Sequence, residues 1–419
     1  MMRRNREPRE LTDAPTVPAL SRRSMAVLYA TAPFAMGYVD IFMLLMPLYA
    51  ASIGLSATQI GMLVGARSAL GIFLSIHAGT LMDRFGARRV TIVLSAGAVA
   101  LFPLYPLLPW FPALLVLQLL TGCLISLAWS GGQTLIALIG QGDADYIGRY
   151  TVFGRIGTTL GPVIVGAAWD FGGPWPAYLC GSVWGAILIV ALLFTPDPPP
   201  VAGEAPAAPP PRFRARDLLP RLGDYTRTFA MMAIPAIAIS IAVLFVRNTT
   251  GGIQSSVYVL YLHRIGLAGT AIGILLGAVE VAGAFGNLVS GHTIRRLHPQ
   301  WTLVAATAAA IAIVTVTPLF GGIFVLLLFA QVLRGALQGM VQPVLFSIQS
   351  KSVGRDRQGA VVGLRQTMNR LASIIVPPLV GAAADRWGID DSFLIVGGGL
   401  LAVCMLLGLA VRYAPRLEL

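Results

Sequence analysis

Long apolar runs separated by short polar breaks dominate this chain, and nearly all of its charge falls in the breaks. About twenty consecutive apolar residues cross the hydrocarbon core of a bilayer as a helix. Twelve runs approach or reach that length: Met25–Leu48, Thr58–Gly79, Val90–Leu108, Pro112–Gln133, Tyr150–Trp169 and Ala177–Phe194, then Ile237–Leu260, Thr270–Gly291, Leu303–Leu319, Gly322–Ile348, Ala360–Ala383 and Phe393–Val411. Hydrocarbon offers no partner to a bare N–H or C=O, so each run is predicted to be a helix, which satisfies its own backbone. The pattern predicts an all-α membrane protein with twelve transmembrane helices.

Six runs lie on each side of a stretch from Pro196 to about Arg227 that holds Pro198, Pro199, Pro200, Pro209, Pro210 and Pro211. A segment so rich in proline cannot form a buried helix and reads as a polar linker. The expected organisation is a tail over 1–24, a six-helix bundle over 25–195, the linker over 196–227, a second six-helix bundle over 228–413 and a tail over 414–419. Basic residues precede the first run, as in a signal peptide. The run is of span length and no small-residue cleavage pattern bounds it, so it is expected to remain as the first helix.

Composition excludes a soluble chain: 56% of the residues are hydrophobic and 11% charged, against about 25% charged in a soluble domain. The net charge of +12 would suit nucleic acid if the cations clustered on one face among aromatics. Instead 22 of the 30 Lys and Arg fall on one side of the predicted membrane, 2 on the other (Arg264 and Arg386) and 6 inside runs. By the positive-inside rule both termini and the linker are cytoplasmic, in an inner or plasma membrane, with no nucleic-acid partner. Cys123, Cys180 and Cys404 all lie in runs and read as packing residues. His77, His263, His292 and His298 are scattered. No metal-ligand spacing or nucleophile–base set stands out, so no cofactor, metal or enzymatic activity is expected. No loop is large enough for a sensory domain, which leaves a membrane-embedded enzyme or sensor as a distant alternative.

The two halves repeat one another. Thr58–Gly79 aligns without gaps on Thr270–Gly291 at an offset of 212, with identities that include Gly61/Gly273, Gly65/Gly277 and Gly71/Gly283. Shared apolar composition would match leucines by chance but would not bring glycines into register. Arg155, Pro162, Gly166, Ala167, Ala168 and Asp170 match Arg370, Pro377, Gly381, Ala382, Ala383 and Asp385 at an offset of 215, and Gln118 and Gly122 match Gln331 and Gly335 at 213. Two six-helix halves in parallel repeat imply a secondary transporter, with the substrate site between the halves near mid-membrane.

Gly79-Thr-Leu-Met-Asp83-Arg84-Phe-Gly86-Ala-Arg88-Arg89 follows the second run. It resembles the cytoplasmic loop signature of the major facilitator superfamily, G-x-L-x-D-R-x-G-x-R, and with twelve runs and a central linker the resemblance covers nearly the whole chain. It implies that Gly79, Asp83, Arg84, Gly86 and Arg88 form a gating loop that stabilises one access state. The second copy, from Gly291, lacks the acid. In the fifth run Gly157, Gly161, Pro162 and Gly166 are similar to the family's antiporter signature, with Val165 where glycine is expected; glycines with a proline permit bending and close packing, and Pro377 is the second-half counterpart. The buried arginine usual in the fourth span of proton-coupled exporters is absent, Thr121-Gly122 standing there, whereas the second half has Arg334-Gly335.

Asp40 and Glu280 are the two acids, of eighteen, that fall inside runs. A carboxylate in a membrane is costly and marks function by default, so these are the predicted proton-coupling residues, with Asp40–Arg67 as a first-half pair. Glu280 stands where the first-half repeat has Ser68. Arg67, Arg155, Arg247, Arg334, Arg365 and Arg370 are the embedded cations; Arg155 and Arg365 are close enough to the ends to snorkel, and Arg67, Arg247 and Arg334 are too central for that and each need a carboxylate, carbonyls or an anionic ligand. Arg247-Asn248-Thr249-Thr250-Gly251-Gly252-Ile-Gln254 makes the seventh run polar at its centre, where paired glycines are expected to loosen or break the helix along a cavity. Substrate contact is assigned to Tyr38, Arg67, Gln118, Gln133, Arg247, Asn248, Gln254, Arg334 and Gln338, and interfacial anchoring to Tyr258 and Tyr261. These features predict a monomeric, lipid-embedded transporter that exchanges protons for a small amphipathic or anionic organic compound by alternating access. Uptake of an organic anion, by proton symport or facilitated diffusion, is the second expectation.

Overall fold

A computed structural model of the protein describes residues 22–140, 144–197, 232, 234–296, 298–351 and 358–413; the linker expectation therefore falls almost wholly outside the described residues. Twelve long helices fill them. The first half contains α1 (Arg22–Ser52), α2 (Ala57–Phe85), α3 (Ala87–Leu101), α4 (Phe111–Ile139), α5 (Ala144–Gly172) and α6 (Pro174–Phe194). The second contains α7 (Pro235–Ile253), α8 (Gly269–Arg296), α9 (Pro299–Thr315), α10 (Phe324–Lys351), α11 (Gln358–Trp387) and α12 (Ile389–Tyr413). Nine of the described helices are long and apolar enough to cross a membrane.

Local chemistry sets the ends of these helices. Prolines occupy the first turn of α4, α6, α7 and α9, where a missing N–H costs nothing. Ser56 caps α2 in a capping box with Gln59, satisfying two otherwise orphaned donors. Gly86, at φ 87°, makes the single-residue turn from α2 to α3, a conformation few side chains tolerate. The third run is not one uninterrupted helix: α3 stops before Pro103, and a short helical turn, Leu104–Leu107, completes it.

The seventh run also departs from expectation. Gly251 and Gly252 do not break it; α7 continues through a π-helical turn, Gln254–Tyr258, into Val259–Arg264. Gly252 instead lets α7 lie against α11, since a Cβ there would come 2.7 Å from Val376.

The largest apolar core runs through both halves, joining Ile41, Leu45 and Val165 to Val257, Ile272 and Val376, and smaller clusters lie within each half. In the first, Tyr38, Phe42, Phe102, Tyr105 and Tyr178 form one aromatic cluster, with Tyr105 stacked on Tyr178 at 5.0 Å between centroids. In the second, Ile237, Leu244, Leu303, Val341, Leu345 and Leu364 are buried together. With an even number of crossings, α1 begins and α12 ends on the same side, here named the terminal end; the opposite side is the far end.

The halves meet along two seams, α5 with α8 and α2 with α11. Lipid tails are as apolar as leucine, so helices associate in membranes through close packing of small residues. A Cβ added to Gly273 or Gly277 would strike the backbone of Pro162 or Thr159, and one added to Gly61 or Gly65 would strike Pro377 or Ile374. Nearer the far end Gly166 abuts the carbonyl of Gly269, and Gly381 abuts that of Ala57.

Candidate functional site

Each seam closes at the far end with the same device. The carboxylate of Asp170, at the end of α5, accepts from the N–H groups of Gly269 and Thr270 at 2.6 and 2.8 Å and from the Thr270 hydroxyl at 2.6 Å. Asp385, at the end of α11, accepts from the N–H groups of Ala57 and Thr58 at 2.9 and 2.8 Å. The first N–H groups of a helix have no partner of their own and carry the positive end of its dipole, so a carboxylate there is favourable on both counts. These carboxylates cap helices of the opposite half, and the far end is thereby shut.

At mid-depth the seams part around a cavity of about 350 Å³, lined from α1 by Met36, Val39, Asp40 and Phe42, and from α2 by Arg67 and Ser68. Gly122, Ile125, Ser126 and Trp129 of α4, Arg155 and Thr158 of α5, Glu280 of α8 and Arg370 of α11 complete it. That volume lies at the lower end of the roughly 300–1,000 Å³ of small-molecule sites. Asp40 and Glu280, both expected to couple protons, thus share one void between the halves.

Arg155 does not snorkel to the membrane surface. Its Nη1 donates to Glu280 Oε2 in an ion pair that joins α5 to α8 across the seam. Both side chains keep about a third of their exposure, 32% and 31%, so the pair faces the cavity. Its worth lies between the 0–1 kcal/mol or so of an exposed pair and the roughly 3–5 kcal/mol lost on breaking a buried one. Asp40 and Arg67 line the same cavity, but no ion pair links them among the described residues.

Of the expected substrate contacts, only Arg67 lines this cavity. Tyr38 and Gln118 are buried in the first-half core, 1% exposed each, because Tyr38 stacks on Phe102 and Gln118 meets the Tyr105 hydroxyl. Gln133 is exposed on α4. Arg247, Asn248, Arg334, Gln254 and Gln338 lie in the second half and are not among the residues that line this cavity. Arg247 Nη1 donates to Gln342 at 2.8 Å, and Asn248 Nδ2 donates to Asn369 at 2.6 Å. Arg334 is fully buried, its Nε and Nη2 without a hydrogen-bond partner. Tyr258 and Tyr261, expected at the interface, are 2% exposed and belong to the core. Periodicity gave these residues a depth but no direction, and neighbouring side chains engage Gln118, Arg247 and Asn248.

The helix-bend residues are contact points. Gly157 lies against the carbonyl of Pro33 in α1, Gly161 against Ile41, and Pro162 and Pro377 present their carbonyls to Gly273 and Gly61. In the gating loop Arg88 binds the end of α6, donating to the carbonyls of Leu192 and Leu193 at 2.9 and 2.8 Å and to Asp197 at 3.2 Å. Arg84 is exposed with its guanidinium 5.5 Å above the Phe85 ring, and the surroundings of Gly79 and Asp83 fall outside the described residues.

Sequence reasoning missed Ser68, Ser126, Trp129 and the cavity-facing role of Arg155 and Arg370. The signal was there in part: Arg155 and Arg370 are repeat partners, as are Glu280 and Ser68.

The sequence model of the Major Facilitator Superfamily matches residues 25–377 and 239–418. The chain is 24% identical over 364 residues to the class G tetracycline resistance protein of Vibrio anguillarum, covering 83% of this chain and 87% of that one. It is 21% identical over 369 residues to the quinolone resistance protein NorA of Staphylococcus aureus, covering 86% and 90%. Among solved structures, a mutant of the nucleoside transporter NupG superimposes with a TM-score of 0.77 at 14% identity, over 92% of this chain and 99% of that one.

Proposed function

The chain belongs to the Major Facilitator Superfamily and is an integral membrane transporter of small molecules, not an enzyme; from that premise we propose proton-coupled export of small amphipathic or anionic organic compounds by alternating access. The observation that carries this reading is the Arg155–Glu280 pair across the seam, with Asp40 in the same cavity. An ionised Glu280 holds Arg155, and with it α5 to α8. A proton on Glu280 removes the Coulombic part of that bond, so the charge state of one carboxyl biases how the halves sit.

The distribution of Lys and Arg supports cytoplasmic termini and an inner or plasma membrane. In that orientation the closed far end faces outside, and the proposed cycle loads substrate from the cytoplasm. Opening outward then exposes Asp40 and Glu280 to external protons, whose uptake displaces the cargo and resets the cycle. The loop from Gly79 to Arg89, with Asp83, Arg84 and Arg88, holds one of the two access states. Asp40 and Glu280 carry the protons, and the protein works as a monomer. Two relatives named for resistance to tetracycline and quinolones favour outward transport, because moving a toxic compound out confers resistance.

The excess of arginine over acid in the cavity favours a second reading, uptake of an organic anion by proton symport or facilitated diffusion. Vesicles of both orientations, loaded with a panel of amphipathic dyes and organic anions under an imposed pH gradient, separate the two. Export requires gradient-driven accumulation in everted vesicles with an acidic lumen. Accumulation in right-side-out vesicles driven by an inward proton gradient would establish uptake instead.

A further inference from the structure

The pseudo-symmetry of the two halves exposes a vacancy in the cavity's charge pattern. Arg155 on α5 and Arg370 on α11 occupy the same position in the repeat, and so do Glu280 on α8 and Ser68 on α2. In the α5–α8 seam the arginine meets its acid. In the α2–α11 seam Arg370 and Ser68 line the same cavity, and no acidic residue pairs with Arg370 among the described residues.

Gly71 and Ser126 border this guanidinium. A Cβ on Gly71 would lie 2.8 Å from Arg370 Nη1 and 3.4 Å from Ser126 Oγ, so glycine leaves room for the arginine and a hydroxyl stands next to it. The Ser126 hydroxyl spends its proton on the carbonyl of Cys123, at 3.0 Å, and is left able only to accept. Among the described residues around the void, three guanidinium groups (Arg67, Arg155 and Arg370) face two carboxyls (Asp40 and Glu280). One positive charge is uncompensated even when both acids are ionised, and arginine cannot shed its charge.

We infer that Arg370, with Ser68 lining the same cavity, receives the carboxylate of a monoanionic organic substrate, which supplies on the α2–α11 side the acid that Glu280 supplies on the α5–α8 side. A planar guanidinium presents paired N–H donors that match a carboxylate, and a charge-assisted bond of this kind is about twice as strong as a neutral one. Phe42, Val39, Ile125 and Trp129 offer the apolar wall for the rest of the molecule. The inference deepens the transport reading and rests on the cavity being the transport site.

The test uses the full chain in lipid nanodiscs and two probes of one shape, 2-naphthoate and the uncharged 2-naphthamide, with binding read by equilibrium dialysis without a gradient. The wild type is expected to hold the acid at least about tenfold more tightly than the amide. Arg370→Gln should cut that ratio to below about twofold, Arg370→Lys should restore part of it, and Ser68→Glu should abolish it by placing an internal acid against Arg370. If Arg370→Gln fails to fold, Ser68→Glu interrogates the same contact from the other side; steric obstruction would weaken both probes together and leave the ratio intact. Equal or undetectable binding of both probes to the wild type overturns the inference, as does an unchanged ratio in Arg370→Gln or in Ser68→Glu. If vesicles still show gradient-driven transport of other compounds, the carboxylate assignment alone is lost; if they show none, the export reading falls on its own.

Discussion

In the α5–α8 seam Gly273 and Gly277 lie against Pro162 and Thr159, and Asp170 caps α8; in the α2–α11 seam their repeat partners Gly61 and Gly65 lie against Pro377 and Ile374, and Asp385 caps α2. Backbone contacts and caps are shared almost residue for residue. The polar side chains at mid-depth are not: one seam has Arg155 with Glu280, the other Arg370 with Ser68. A rocking pair of bundles needs two matched hinges, and close helix packing constrains both alike. The proposed coupling needs the two sides to differ, and Glu280, which stands on one side where the other has Ser68, is a difference of that kind.

The largest effect should come from erasing that difference. Asp40→Asn with Glu280→Gln is expected to abolish proton-driven transport in vesicles while the protein still accumulates in the membrane at wild-type level. Full activity in the double variant would end acid-based coupling.

Wedging the shared packing comes next. Gly166→Ala and Gly381→Ala each push a methyl group into a carbonyl of the opposite half, and overpacking of this kind costs about 1–3 kcal/mol. Both should lower the melting temperature in detergent by several degrees and by similar amounts, as matched hinges require. A loss confined to one of them would break the equivalence of the seams.

Removing the caps should act more gently. Asp170→Ala and Asp385→Ala are each expected to cost about 0.5–2 kcal/mol, the range for losing a helix cap, and by similar amounts, since both carboxylates bind two N–H groups of the helix they cap. Ile272→Cys and Ile60→Cys, repeat partners that are fully buried, report the opening through their labelling by an impermeant maleimide in a cysteine-free background. Labelling should accelerate severalfold, at Ile272→Cys with Asp170→Ala and at Ile60→Cys with Asp385→Ala. The smallest effect belongs to Gly283→Ala, whose added methyl meets only the Gly335 carbonyl at 3.5 Å; its melting temperature should match the wild type.

Much of the candidate site was legible before the fold. Asp40 and Glu280 stood out because an acid in an apolar run must be explained by something other than solvation, and both line the cavity. The glutamines and Tyr38 lie outside that lining for the complementary reason. A polar group within a helix finds a partner on any side, and Gln118 found Tyr105 while Arg247 found Gln342. The repeat offset held more than was drawn from it: the same register that pairs Arg155 with Arg370 locates both in the cavity and shows which of them lacks an acid.

Twelve helices, two equivalent halves and the identity of the membrane-embedded charges were determined by sequence alone, because hydrocarbon leaves the backbone one local solution and makes every buried charge conspicuous. Which charges face one another was decided only by tertiary structure. A helix shows a different face every 100° or so, and one turn separates a residue in the cavity from one in the core; only the packing of α2, α5, α8 and α11 at their glycines selects the face that turns inward.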